Sequence, residues 1–143
     1  MVGKGMNTVY ELRPKTADSE KITINLGYVD LGHIDLMVQD GFYSNRTDFI
    51  RTAIRNLLGH HADAVRLSVV RRTLELGLRD YNRDNLEAAR TAGEKLHINV
   101  LGLARIAEDV TPELARAAIA SVTVLGALHA SPEVKAALAD RTH

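Results

Sequence analysis

The 143-residue sequence has no cysteine and no tryptophan, and its aromatic content is 4%. The lack of cysteine excludes disulfides, thiolate metal sites and thiol nucleophiles. With so few aromatic rings, a stacking platform for single-stranded nucleic acid is not expected. No charge of one sign prevails: 18 basic residues face 18 acidic ones. Residues 1–61 are balanced too, Lys4, Arg13, Lys15, Lys21, Arg46, Arg51 and Arg55 being matched by as many carboxylates. DNA-binding domains are often basic overall, so any attraction for a polyanion has to come from where the cations sit. No run approaches the roughly 20 apolar residues of a membrane span, so no membrane partner is expected. Residues 1–20 lack the apolar segment of a secretory signal, and a cytoplasmic location is the expectation. What remains, 45% hydrophobic and 25% charged residues, is ordinary for a folded chain of one domain or two small ones.

Catalytic constellations are missing as well. There is no supported Ser/His/Asp arrangement, no glycine-rich phosphate loop and no His-Glu-x-x-His, so the chain is read as a non-enzyme with no cofactor. Glu108-Asp109 reads as a solvated turn. His60-His61 with Asp63 is the sole local histidine cluster; adjacent histidines at a helix C-terminus suit the helix dipole and are not assigned as metal ligands.

Patterned sequence begins after a flexible arm over residues 1–20, in which Arg13 and Lys15 could attract phosphate non-specifically. Lys21-Ile22-Thr23-Ile24-Asn25-Leu26 alternates strictly, Ile22, Ile24 and Leu26 on one face and Lys21, Thr23 and Asn25 on the other, which predicts a strand. A helix follows, with Asp30 as its expected N-cap, Leu31, Ile34, Met37 and Val38 as its stripe and Gly41 at its C-terminal stop. After Phe42-Tyr43-Ser44, Asn45 caps a second helix with Asp48 in a capping-box-like position. Its apolar stripe is Phe49, Ile50, Ala53, Ile54 and Leu57, and Gly59 is its expected end. Such a unit is too small to bury a core alone, and its one strand has no partner. A two-fold dimer with an antiparallel ribbon of two strands repairs both defects.

Ile22-Thr23-Ile24-Asn25-Leu26, followed by Gly41-Phe42-Tyr43-Ser44-Asn45-Arg46-Thr47-Asp48-Phe49-Ile50-Arg51, resembles the Arc/MetJ/CopG-type ribbon-helix-helix family of DNA-binding transcriptional regulators. The resemblance covers residues 21–58. Gly27 stands where the family often has proline, and Gly32 weakens the first helix by about 1 kcal/mol relative to alanine. The resemblance implies a dimeric ribbon lying in the major groove of double-stranded DNA. By it, Lys21, Thr23 and Asn25 are the base-reading side chains, and Asn45, Arg46 and Thr47, at a helix N-terminus that favours anions, are the phosphate contacts. Ile22, Ile24, Leu26, Phe49, Ile50 and Ile54 form the dimer core. Arg51 and Arg55 suit surface or dimer ion pairs better than direct DNA contact. Nickel-responsive members of the family use a cysteine that this chain lacks, so no metal is implied.

Beyond residue 61 the pattern changes. Thr73-Leu74-Glu75-Leu76-Gly77, Ile98-Asn99-Val100-Leu101-Gly102 and Val122-Thr123-Val124-Leu125-Gly126 superimpose. Each precedes a helix start: Asn82-Arg83-Asp84-Asn85-Leu86, Thr111-Pro112-Glu113-Leu114 and Ser131-Pro132-Glu133-Val134, two of them with proline at the first helical position. The glycines mark places where backbones approach closely. Residues 62–72 read as a linking helix or an extra strand.

The expected fold is therefore α+β: an arm (1–20), a dimeric β-α-α ribbon-helix-helix domain (21–61) and a small domain of about three β–α repeats with parallel strands (62–143), for oligomerisation or sensing. The expected function is sequence-specific regulation of transcription, of bacterial type, by an obligate homodimer that assembles to a tetramer or larger; no effector is indicated. The alternatives are an antitoxin or partition-type protein with autoregulatory DNA binding, and a self-assembling structural protein.

Overall fold

The computed structural model describes residues 19–143. The arm expected over residues 1–20, with Arg13 and Lys15, lies outside the described residues except for Ser19 and Glu20. The chain divides into two compact units, one ending at Ala62 and one beginning at Asp63.

In the first unit, the strand expected over residues 21–26 does not form among the described residues, where residues 19–27 carry no ladder. Helix α1 (Tyr28–Gln39) follows. It starts ahead of the expected position: Gly27 is its N-cap, and Asp30 lies in its first turn, where a carboxylate still meets the positive end of the helix dipole. Its C-terminus closes as a Schellman motif, Phe42 N–H donating to Met37 O and Gly41 N–H to Val38 O at 3.0 Å each, with Gly41 at φ 85°. Helix α2 (Arg46–His60) begins at Asn45, whose side chain accepts from Asp48 N–H at 2.8 Å. It does not stop at Gly59 but runs through it. Ile34 is the one buried residue among the two helices.

Helix α3 (Ala62–Arg71), where helix and strand were both open, starts on the last residue of the first unit and runs into the second, which continues as β1 (Glu75–Tyr81), α4 (Arg83–Thr91), β2 (Leu96–Ile106), α5 (Pro112–Ala118), β3 (Ile119–His129) and α6 (Pro132–Ala137), ending in a 3₁₀ turn (Ala139–Arg141). The strands form one parallel sheet in the order β1-β2-β3. Gly77 pairs with Gly102 and Gly102 with Gly126, so the glycines sit within the strands, which continue past them. Asn82, Thr111 and Ser131 each accept from the backbone N–H three residues on, and Asn82 forms a reciprocal capping box with Asn85. The core lies on one face of the sheet: Ile98, Val100, Ala104, Ile106 and Val122 are buried together with Leu86, Leu114, Ala115, Ala118, Val134 and Leu138. Residues of the other face, Leu76, Leu78 and Leu125, are exposed.

Candidate nucleic-acid interface

The first unit exposes its apolar face instead of burying it. Ile22 is 71% exposed, Ile24 59% and Ile54 49%; Leu26 is also exposed, and Phe49 and Ile50 are half-buried. The edge-on contact of Tyr43 with Phe49, ring centroids 5.0 Å apart, is a local staple across the turn and not a core. Lys21, Thr23 and Asn25, on alternate positions of the same segment, are exposed as well.

At the start of α2 the backbone leaves donors open. Asn45 takes Asp48 N–H, and the Asp48 carboxylate takes Ser44 N–H at 2.9 Å. The first helical bond is Phe49 N–H to Asn45 O. The N–H groups of Arg46 and Thr47 have no partner among the described residues, as expected of the orphan donors of a helix N-terminus. Beside them lies a shallow cleft of about 340 Å³ lined by Ser44, Asn45, Thr47, Asp48, Arg51 and Arg55. Arg51 and Arg55, which line the cleft, make no ion pair among the described residues, so the surface ion pairs expected of them are not made there.

Arg46, expected on phosphate, is held inside the chain. Its Nε and Nη2 donate to the two carboxylate oxygens of Asp35 at 2.8 and 2.9 Å. The bidentate fork ties α2 to α1, and the hydrogen bonds from Arg46 hold the Asp35 carboxyl below its ordinary value. Sequence spacing gave no signal for this pair, because the two residues are eleven positions apart on separate helices.

A second concavity, about 770 Å³, opens at the carboxyl ends of the parallel strands, between Tyr81, Asn82, Ile106, Glu108, Ser131 and Pro132. Its wall includes the row Asp80, Arg105 and His129, neighbours in register. Arg105 donates to Asp80 at 2.7 and 3.2 Å, which lowers the Asp80 carboxyl, and burial pushes the Tyr81 hydroxyl up. Crevices in this position of parallel sheets are common ligand sites, and the volume of this one falls within the range of small-molecule pockets. His60, at the end of α2, and His61 are edge-on with ring centroids 6.2 Å apart.

A model of the ribbon-helix-helix transcriptional regulator family matches residues 17–135. No curated protein and no solved structure gives a match. The motif resemblance stops at residue 58, whereas the family match runs on through the three strands, so the sheet-bearing unit is included in what the family model describes.

Proposed function

Because the chain belongs to the ribbon-helix-helix transcriptional regulator family, in which DNA binding and dimerisation are implied, we propose that it is a sequence-specific, non-catalytic regulator that reads the major groove with a two-stranded ribbon built from residues 21–26 of two copies. One observation carries this reading: Ile22, Ile24 and Leu26 stand in solvent in the single chain. An alternating segment with a bare apolar face and a polar opposite face is half of a two-stranded ribbon. Pairing it with its copy would bury the three apolar side chains over the stripe of Phe49, Ile50 and Ile54, and would turn Lys21, Thr23 and Asn25 outward. Lysine can donate to guanine O6 or N7, asparagine can pair bidentately with adenine, and threonine can hydrogen-bond or meet a thymine methyl.

The α2 N-terminus is the clamp. The unpartnered N–H groups of Arg46 and Thr47 bind phosphate, with Asn45 shaping the cap and Arg51 and Arg55 adding positive charge. Arg46 itself contributes through its backbone and through the Asp35 fork that orients the two helices. The sheet-bearing unit, read as three β–α repeats, joins dimers into a tetramer or larger.

The reading is tested with full-length protein by selecting bound fragments from a random DNA pool. Thr23→Ala and Asn25→Ala should keep general affinity and lose about 1–3 kcal/mol of discrimination per base contact. Thr47→Asp should weaken all sequences alike, since it sets a carboxylate against phosphate. Ile24→Asp, which places a charge in the shared core, should abolish both the ribbon dimer and DNA binding. An unchanged preference in the strand variants would show that another element reads the bases.

A further inference from the structure

The parallel sheet has two edges, and they differ. Along β3 the first part of the edge is occupied by the chain's own end: Thr142 bridges Val122, and His143 N–H donates to Val122 O at 2.8 Å. Along β1 nothing lies against the edge among the described residues, and every residue from Glu75 to Asp80 is exposed, Leu76 at 70%. An open strand edge is a template for another strand.

The glycine row shows the same asymmetry at one level of the sheet. A Cβ built on Gly126 would overlap the carbonyl oxygen of Gly102, and one built on Gly102 would overlap the carbonyl oxygen of Gly77. Gly77 shares their positive φ, at 113°, yet a Cβ there would meet nothing within 4 Å. Two of the three glycines are thus crowded by a neighbouring backbone, and the third faces the open edge.

The charges on β1 are self-complementary about Gly77. Glu75 and Arg79 lie two residues to either side of it and on one face of the strand, and they pair across the bare glycine at 2.9 Å. Leu76 and Leu78 flank it on the opposite face. Under a two-fold axis at Gly77, an antiparallel copy sets Glu75 opposite Arg79 twice and Leu76 opposite Leu78 twice, with glycine against glycine at the centre. Opposite charges and apolar pairs directly across an antiparallel ladder both stabilise it, and two-fold pairing is the commonest symmetry. The same edge has no such match with β3, whose edge begins under Thr142 and His143.

We propose that β1 is a homotypic interface: a second copy of this chain pairs with it antiparallel about Gly77, fusing two three-stranded sheets into one of six. This rests on the reading of the full chain as linked dimers and names the surface that links them.

The test uses light scattering on full-length protein without DNA. Glu75 and Arg79 are half-exposed, so charge reversal there leaves the core intact. Wild type should have the mass of four chains. Glu75→Arg alone and Arg79→Glu alone should each show half of it, because each sets like charges opposite one another twice. An equimolar mixture of the two single variants should regain the four-chain mass. In that mixture each chain has lost its internal Glu75–Arg79 pair, so only pairing between chains can restore association. If the single variants keep the wild-type mass, or the mixture stays at the halved mass, β1 is not the interface; growth of wild type beyond four chains that persists in both single variants would point instead to β1 stacking on β3 and overturn the two-fold pairing. A wild type of two chains that Glu75→Arg reduces to one would uphold the β1 interface while sinking the ribbon dimer.

Discussion

Gly102 adopts φ 138° and Gly126 φ 123°, and each lies against the carbonyl oxygen of the preceding strand. Two constraints coincide at these positions: the backbone conformation is one that side chains resist, and a side chain would strike a ladder that cannot yield without parting the strands. Gly93 isolates the first constraint. It has φ 73° and open space around the position of a Cβ. Gly93→Ala should therefore cost about 1–2 kcal/mol, the strain of a left-handed residue, whereas Gly102→Ala and Gly126→Ala should cost about 2–5 kcal/mol once overpacking is added. Denaturant titration of the three variants checks the ranking. Equal losses would mean that the close approach of the strands is relieved by a small shift.

Ion pairs link the elements of the second unit. Arg105 of β2 forks onto Asp80 of β1, and Arg116 of α5 reaches Ala137 O at the end of α6 at 2.6 Å and Asp140 in the C-terminal turn at 2.9 Å. Arg141 returns the link, donating to Arg116 O and Ile119 O at 3.0 and 2.8 Å. The hydrogen bonds from Arg105 and Arg116 lower the carboxyls of Asp80 and Asp140 from an ordinary value of 3.8. A carboxyl lowered in the folded state contributes stability that is fully present above its unfolded value and lost as pH falls through the folded one. Stability against thermal unfolding should therefore fall below about pH 4, and Asp80→Asn or Asp140→Asn should flatten that dependence; both groups are solvent-exposed, so the effect should shrink in salt. At this scale much was legible in advance. The three superimposable segments ending in Gly77, Gly102 and Gly126 and the Asn, Thr-Pro and Ser-Pro caps located all three strands of the sheet and the helices after them, because those signals are local. The helix ends were less legible. Gly41 stops α1 because it takes a positive φ, and Gly59, which does not, is carried inside α2. The Arg46–Asp35 fork joins two helices and leaves no periodic trace. Residues 21–26 alternate as a strand should, but a ladder needs a second strand, and none lies against them among the described residues.

For the whole molecule, the balance of 18 cations and 18 anions limits what a single dimer can do on DNA. Affinity for the backbone grows with the number of phosphates neutralised, and among the described residues of the first unit a ribbon dimer presents few cations: Lys21, Arg51 and Arg55 from each chain, with Arg46 held by Asp35. Linking two dimers compensates without new contacts, because the second engagement becomes intramolecular and avidity can rise by about 10²–10⁴. The link proposed above lies in β1, remote in sequence from every residue assigned to DNA. Glu75→Arg should accordingly separate the two properties. On DNA carrying one site, its affinity per dimer should match that of wild type. On DNA carrying two sites, wild type should fill both together, and the variant should fill them independently and at higher protein concentration, by a factor that approaches the avidity gain. Footprinting across a protein titration on one-site and two-site fragments reads both outcomes. Independent filling by wild type would remove avidity from the account and leave the sheet-bearing unit, with its cavity at the strand ends, as a sensor instead of a linker.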